Sequence, residues 1–135
     1  MFETVTGAMF EEYVNALRLE SAIHAENIDP VDHRIDPDAR YWMTADRRTG
    51  YGIAGNGELK YVFSTTPGMG NAIVTDAVAN GADNLNCFEG HLTDLYARHG
   101  FTETHRLDNW DPAGPAVVFM RRLPASGNFL DVPEV

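Results

Sequence analysis

The N-terminal part of the chain has the hydrophobic periodicity of an amphipathic helix. The apolar positions that fall on one helical face are Phe10, Val14, Leu17 and Ile23. The polar positions on the other face are Glu11, Glu12, Asn15 and Arg18. This 3.6-residue repeat predicts a helix from Gly7 to about Glu26, in one piece or two. Residues 2–5 (FETV) precede it and are predicted to form a short first strand.

Residues 28–39 interrupt this periodicity. Pro30 and Pro37 each follow an aspartate, which disfavours helix, so the segment is predicted to be a loop. The aspartates around His33 in this loop are Asp29, Asp32, Asp36 and Asp38. Such an oxygen-rich cluster could hold a hard cation, but its spacing matches no calcium-loop pattern. A solvated acidic loop is the alternative interpretation, and no metal ligand is assigned.

From Arg40 to Phe63 the pattern changes to short apolar runs separated by turns. The runs read RYWMT, YGIA and LKYVF, and the segments DRRTG and GNGE connect them. Apolar runs joined by tight Gly/Asn turns are typical of β-hairpins. Three consecutive antiparallel strands are therefore predicted.

The stretch from Gly57 to Phe101 combines both kinds of pattern, and the rest of the chain is organised around it. The elements predicted in it are a strand at 59–63, a turn at 65–70, a helix at about 69–80, a strand at 84–88 and a helix at about 91–99. Gly68 and Gly70 expose backbone N–H groups at a helix start, where the helix dipole favours an anion. This arrangement predicts the phosphate site of a nucleotide-type cofactor.

Two more strands are predicted after Gly100, in FTETHRL and AVVFM, and residues 124–135 are predicted to be a loosely held tail. A chain of 135 residues is long enough for one domain with its own core. Its 20 acidic and 10 basic residues give a formal charge of −10, so there is no basic footprint for nucleic acid. The acidic balance favours a cationic partner such as an amine, or serves solubility alone.

The single cysteine, Cys87, excludes an internal disulfide. No apolar run approaches the length of a membrane span, and the acidic N-terminus is unlike a signal peptide. A cytoplasmic location without membrane contact is therefore expected.

Two motifs resemble those of GNAT-type N-acetyltransferases. The turn TTPGMG, residues 65–70, is similar to the end of the family's acyl-CoA loop, Gln/Arg-x-x-Gly-x-Gly/Ala. The run LTDLYARHGF, residues 92–101, is similar to the family's L-Y-x-x-x-G-F helix end. The resemblance covers roughly residues 2–122. The CF-x-x-x-L-x-x-LY version of the second motif, with a terminal PAVVFM strand, also resembles small GNAT-like proteins of phages and mobile elements.

The resemblance implies an α/β (α+β) domain over residues 1–123. Its sheet would be mixed and mostly antiparallel, with six to seven strands and about four flanking helices. The strands at 59–63 and 84–88 would be parallel neighbours that splay apart around acetyl-CoA, the acyl donor. The cofactor-binding residues that the resemblance implies are Val62, Phe63, Ser64, Gly68, Met69, Gly70 and Asn71. Tyr96 would be the general acid that protonates the leaving thiolate.

No residue is fixed as the base that deprotonates the amine. Glu58 and Glu89 flank the expected slot and are candidates. Their alternatives are a surface carboxylate for Glu58 and a charge at a helix N-terminus for Glu89. Cys87 lies in a predicted buried strand and is interpreted as a small core residue and not as a nucleophile.

The sequence also departs from the family pattern. Thr65 replaces the usual Gln or Arg, Pro67 removes a backbone N–H, and no Lys or Arg occurs between Lys60 and Arg98. Two hypotheses follow. The first is an acetyl-CoA-dependent N-acetyltransferase that transfers acetyl directly to a primary amine of a small molecule or protein. The second is a catalytically degenerate GNAT-fold binding or structural protein, for example a phage virion or host-takeover component. A homodimer is compatible with both.

Overall fold

The predicted order of secondary-structure elements is confirmed by a computed structural model, which describes residues 1–123. The predicted tail, residues 124–135, lies outside the described residues. The elements are β1 Phe2–Val5, α1 Gly7–Glu20, α2 Ala22–Asn27, β2 Arg40–Thr44, β3 Thr49–Ile53, β4 Leu59–Ser64, α3 Gly70–Ala79, β5 Asn84–Phe88, α4 His91–Arg98, β6 Phe101–Leu107 and β7 Val117–Arg122.

The chain divides into two compact units, residues 1–82 and the residues from Asp83 onward. The first unit holds a sheet of strand order β1-β2-β3-β4 together with α1, α2 and α3. The second holds a sheet of order β5-β7-β6 together with α4. The α/β class is therefore confirmed. β4 is the end strand of one sheet and β5 an end strand of the other, and no ladder joins these two strands.

The apolar face of α1 forms the core of the first unit, as predicted. Phe10 and Val14 are fully buried, and the Phe10 ring lies 4.9 Å from that of Tyr41 on β2. Ile23 does not continue this face, since its side chain is 67% exposed. The reason is Ser21, which has an extended backbone and caps α2 through its side chain, so that the helix restarts in a new direction.

The polar face of α1 holds the loop at residues 28–39. Asn15 exchanges two hydrogen bonds of 3.1 Å with the backbone of Val31. Arg18 donates to the carbonyl of Ile28 over 2.7 Å. Only Glu12 of the four polar positions is fully exposed. The prediction that this face points away from the fold is therefore wrong for Asn15, Arg18 and also Glu11, which accepts from His33 N–H over 2.9 Å, because all three bind the loop.

A β-bulge interrupts the pairing of β4 with β3. Gly50 lies opposite Phe63 and Gly52 opposite Lys60, so Tyr61 and Val62 together face Tyr51 alone. Tyr61 has a left-handed backbone with φ of 57°, which costs roughly 1–2 kcal/mol for a residue with a Cβ. Because β4 is the last strand of its sheet, its outer edge has no partner strand in that sheet. Within residues 1–123, no helix is both long and apolar enough to cross a membrane.

Candidate active site

The loop between β4 and α3 has the geometry of an anion site. Gly68 has φ of +82°, and a Cβ built there meets no atom within 4 Å, so the backbone conformation and not crowding requires glycine. The residue before α3 is Met69, which makes no side-chain cap, and the first turn of the helix contains no acidic residue. Met69 therefore offers no side-chain acceptor to the N–H groups of that turn, whose partial positive charge favours an anionic ligand.

The start of this loop is anchored to the neighbouring strand. Thr65 N–H donates to the carbonyl of Arg48 over 2.8 Å. The Ser64 hydroxyl donates to the carbonyl of Thr66 over 2.7 Å and lies 2.9 Å from the Thr49 hydroxyl. These bonds fix where the chain leaves β4, and so where Gly68 lies.

A buried polar network holds α3 on the sheet. The Tyr51 hydroxyl, on a fully buried side chain, donates to Asp76 Oδ2, and Asn80 Nδ2 donates to the same hydroxyl over 2.9 Å. Burial first, and then the bond to Asp76, raises the pKa of Tyr51 above its usual range. Arg40 adds a bond of 2.9 Å to the carbonyl of Asn80. Sequence reasoning missed this network, because its members come from elements whose relative placement no local pattern reveals.

A cavity of about 260 Å³ opens beside the C-terminal half of β4. The residues that line it are Leu17, Ile23, His24, Ile28, Val62, Phe63, Ser64 and Thr65. Three of the predicted cofactor-binding residues, Val62, Phe63 and Ser64, thus line a real cavity. The contribution of α1 and α2 to it was not predicted.

Tyr96, the predicted general acid, lies on α4 in the second unit. Its side chain is only 6% exposed, and its ring meets that of Phe101 edge-on at 5.9 Å. No hydrogen bond from the described part of the chain reaches its hydroxyl. Burial, and to a smaller extent Cys87, raises the pKa of Tyr96 to about 12, so the hydroxyl keeps its proton at neutral pH. Cys87 is half-buried on β5, where only Leu85 is fully buried, so the prediction of a core residue in a buried strand is not met; partial burial raises the pKa of its thiol.

The two candidate bases lie in different surroundings. Glu89 is exposed, and its Oε1 pairs with Arg106 Nη1 at 3.2 Å. Arg106 also pairs with Glu103 at 2.7 Å, and these carboxylates raise its pKa. Glu58 is half-buried in the β3–β4 turn. It precedes β4 whereas the glycine loop follows it, and six strand residues span about 20 Å, so Glu58 lies far from that loop.

The acidic loop gathers a different cluster from the one expected. Glu11, Asp32 and His33 bring their ligand atoms within 4.8 Å of one another. His33 Nδ1 lies 2.7 Å from Glu11 Oε1, and Asp32 pairs with Arg34 at 3.1 Å. The backbone and side-chain bonds from His33 lower the pKa of Glu11. These contacts connect α1 to the loop at residues 28–39 and give the cluster a structural role.

The element order and the glycine loop that opens α3 are those that the resemblance to GNAT-type N-acetyltransferases implies. No protein-family model and no curated protein matches the chain. The solved structures that match include a variant of the spermidine N-acetyltransferase SpeG from Vibrio cholerae, with a TM-score of 0.62, 13% identity, and coverage of 98% of this chain and 99% of that chain.

A candidate phosphinothricin N-acetyltransferase matches with a TM-score of 0.59 and 14% identity, over 90% of this chain and 96% of that chain. A chimera of SpeG from Vibrio cholerae and hSSAT matches with a TM-score of 0.60 and 11% identity, over 98% of this chain and 99% of that chain. At these identities the likeness concerns the fold. The GNAT-type fold predicted from two short motifs is therefore confirmed.

Proposed function

We propose that the protein is an N-acetyltransferase that transfers the acetyl group of acetyl-CoA directly to a primary amine. The observation that carries this proposal is the path from β4 to α3. A bulged edge strand leads through a left-handed glycine, Gly68, into a helix start without a side-chain cap. Solved examples of this fold include N-acetyltransferases. The path from β4 to α3 is suited to bind a nucleotide diphosphate at the helix start and its extended pantetheine arm along the strand.

The donor substrate would lie along this path. The backbone N–H groups of Gly68, Met69, Gly70 and Asn71 would hold the pyrophosphate. The outer edge of β4 at Val62, Phe63 and Ser64 would pair with the amides of the pantetheine arm, as an added strand would. A strand N–H near the bulge at Tyr61 would polarise the thioester carbonyl.

The reaction needs one base and one acid. The amine nitrogen attacks the thioester carbonyl carbon, so that a C–N bond forms and the C–S bond breaks. Because the amine is cationic in water, its nitrogen loses two protons: one goes before the attack to a carboxylate, for which Glu89 and Glu58 are the candidates, directly or through water, and the other goes to solvent after the attack. Tyr96 donates its hydroxyl proton to the departing sulfur, and its raised pKa means that this proton is present at neutral pH.

The acceptor would be an amine that is cationic in water. The formal charge of −10 attracts cations over long range and so raises the encounter rate. One of the matching structures is named as a spermidine N-acetyltransferase, which is in keeping with an amine acceptor. Such a reaction would take place in the cytoplasm, where acetyl-CoA is available.

A second candidate function is that of a GNAT-fold binding or structural protein without catalysis, in a phage particle or an infected host cell. Two observations favour it. No Lys or Arg between Lys60 and Arg98 is available to hold CoA phosphates from this part of the chain, and Pro67 removes a donor from the loop.

Calorimetric titration with CoA and acetyl-CoA separates the two functions. The acetyltransferase is expected to bind both with micromolar affinity, and Gly70→Arg is expected to abolish binding by filling the pyrophosphate cradle. Gly68→Ala tests the backbone conformation, and Gly57→Ala is its matched control, since Gly57 has a similar φ of 87° in the hairpin turn before β4. Both variants should show a similar loss in the free energy of unfolding, but only Gly68→Ala should weaken the binding of CoA and acetyl-CoA. If neither ligand binds the unmodified protein, the acetyltransferase proposal fails.

A further inference from the structure

The cavity beside β4 has an apolar lining with one unpaired polar side chain. Its apolar lining residues are Leu17, Ile23, Ile28, Val62 and Phe63. The hydroxyls of Ser64 and Thr65 already donate to the carbonyls of Thr66 and Arg48, at 2.7 and 3.4 Å. His24 differs, because its ring makes no hydrogen bond within residues 1–123; its Nδ1 is enclosed, so Nε2 is the ring nitrogen that a ligand can reach. The ring therefore keeps hydrogen-bonding capacity that the fold does not use.

The charge of the lining argues against a polycationic occupant. None of the eight lining residues, all in the described part of the chain, is acidic. Each ammonium group taken into the cavity would lose hydration without gaining a counter-charge, so the cost grows with the number of charges on the amine. A hydrocarbon body loses no such hydration and gains from burial.

The volume sets the size of that body. A dry apolar cavity of about 150 Å³ is enough for benzene. The cavity here is larger, at about 260 Å³, so a phenyl ring or a branched alkyl chain with a short linker fits within it.

We propose that this cavity binds the apolar body of a monoamine acceptor and that His24 hydrogen-bonds the amino group. The inference rests on the proposed function, since it names the acceptor class of that same reaction. A monoamine with a hydrocarbon body has one polar group, and the lining has one unpaired polar side chain to meet it. The net negative charge of the protein attracts amines in general, and the cavity selects among them those that carry a single amino group.

Calorimetry with 2-phenylethylamine and with spermidine, in the absence of acetyl-CoA, tests the selection. The unmodified protein is expected to bind 2-phenylethylamine at least about tenfold more tightly than spermidine. His24→Leu is expected to weaken 2-phenylethylamine binding about tenfold, the size of one lost hydrogen bond, and His24→Gln to restore part of it. Thermal melts of both variants establish that they are folded.

A charge placed at the cavity rim gives the complementary test. Ile23 lines the cavity and is 67% exposed, so Ile23→Glu adds a carboxylate without disturbing the core. It is expected to shift the preference towards spermidine. The matched control is Leu19→Glu, since Leu19 is 90% exposed and does not line the cavity, and it should leave the preference unchanged.

The outcomes separate this proposal from the proposed function. If no amine is acetylated but 2-phenylethylamine binds in a His24-dependent way, the acetyltransferase function fails and the cavity assignment stands. If spermidine is acetylated and binds as well as 2-phenylethylamine or better, the function stands and the cavity assignment is overturned. Unchanged binding in both His24 variants would overturn the role of His24.

Discussion

The Tyr51 hydroxyl donates a hydrogen bond of 2.5 Å to Asp76 Oδ2, which ties β3 to α3 inside the first unit. The Trp42 ring stacks on the ring of Tyr51 at 5.0 Å and closes one side of this pair. Because α3 begins at the glycine loop, the bond also fixes the direction in which the proposed phosphate site points. A residue outside the candidate site thus determines its geometry.

Replacing Tyr51 should therefore affect both stability and ligand binding. Tyr51→Phe leaves the half-buried Asp76 and Asn80 without their shared partner, although their own bond of 3.2 Å remains, and so costs about 1 kcal/mol. Urea unfolding measures this loss, and CoA titration should show weaker binding in the same variant. Tyr13→Phe is the matched control, since Tyr13 is half-buried and its hydroxyl makes no hydrogen bond within the described chain. Equal stability losses in the two variants would contradict the role of the network.

Tyr96→Phe tests the general acid. It removes one oxygen from a side chain that packs through its ring, so the fold should be kept while kcat falls about 100-fold. Cys87→Ser is the companion variant, because Cys87 affects the pKa of Tyr96 but is not assigned a chemical role. Acetyl transfer at fixed pH, followed through thiol release, should stay near the unmodified rate in Cys87→Ser. An unchanged kcat in Tyr96→Phe would remove Tyr96 from the mechanism.

The hydroxyl of Tyr96, on a side chain that is buried as a whole, also makes stability depend on alkaline pH. Its pKa is raised from 10.0 to about 12 in the folded state. A raised pKa gives a stabilisation that is complete below the unfolded value and is lost as pH rises through the folded value. The free energy of unfolding should therefore fall by roughly 2 kcal/mol between about pH 10 and pH 12 through this residue. Tyr96→Phe should flatten that part of the curve, and identical slopes in both proteins would show that folding does not raise the pKa of Tyr96.

Two glutamates that pair with the same arginine provide a test for the general base. Glu89 and Glu103 both bind Arg106, so Glu89→Gln and Glu103→Gln each remove one charge and one ion pair from the same guanidinium. If Glu89 is the base, Glu89→Gln should lower kcat about 100-fold, whereas Glu103→Gln should change it little. A loss in Glu58→Gln instead, with Glu89→Gln active, would assign the base to Glu58.

The sequence predicts the order of elements well because hydrophobic periodicity and glycine turns are local signals. The apolar face of Phe10 and Val14 and the glycine loop at Gly68 follow from such signals. The division of the strands into a sheet of four and a sheet of three is not visible in the sequence, because the pattern of a strand does not reveal which strand pairs with it. The prediction that Ile23 continues the apolar face of α1 is wrong, because a serine such as Ser21 can either continue a helix or cap a new one.

The candidate site was predicted only in part, for the same reason. The residues of β4 and its loop were found through the motif, but the opposite wall of the cavity comes from α1 and α2, about 40 residues earlier in the chain. Neither His24 nor the Tyr51–Asp76 pair belongs to a recognisable sequence motif. Contacts between distant elements depend on packing, which a single sequence does not display.

The left-handed backbone of Tyr61 has one more consequence. A one-residue slip of β4 against β3 would transfer the positive φ to a neighbour, and on one side that neighbour is Val62, whose β-branched side chain tolerates it poorly. The bulge therefore fixes the register of β4 against β3. Everything attached to the end of β4, including the glycine loop, is held at a constant distance from the hairpin turn.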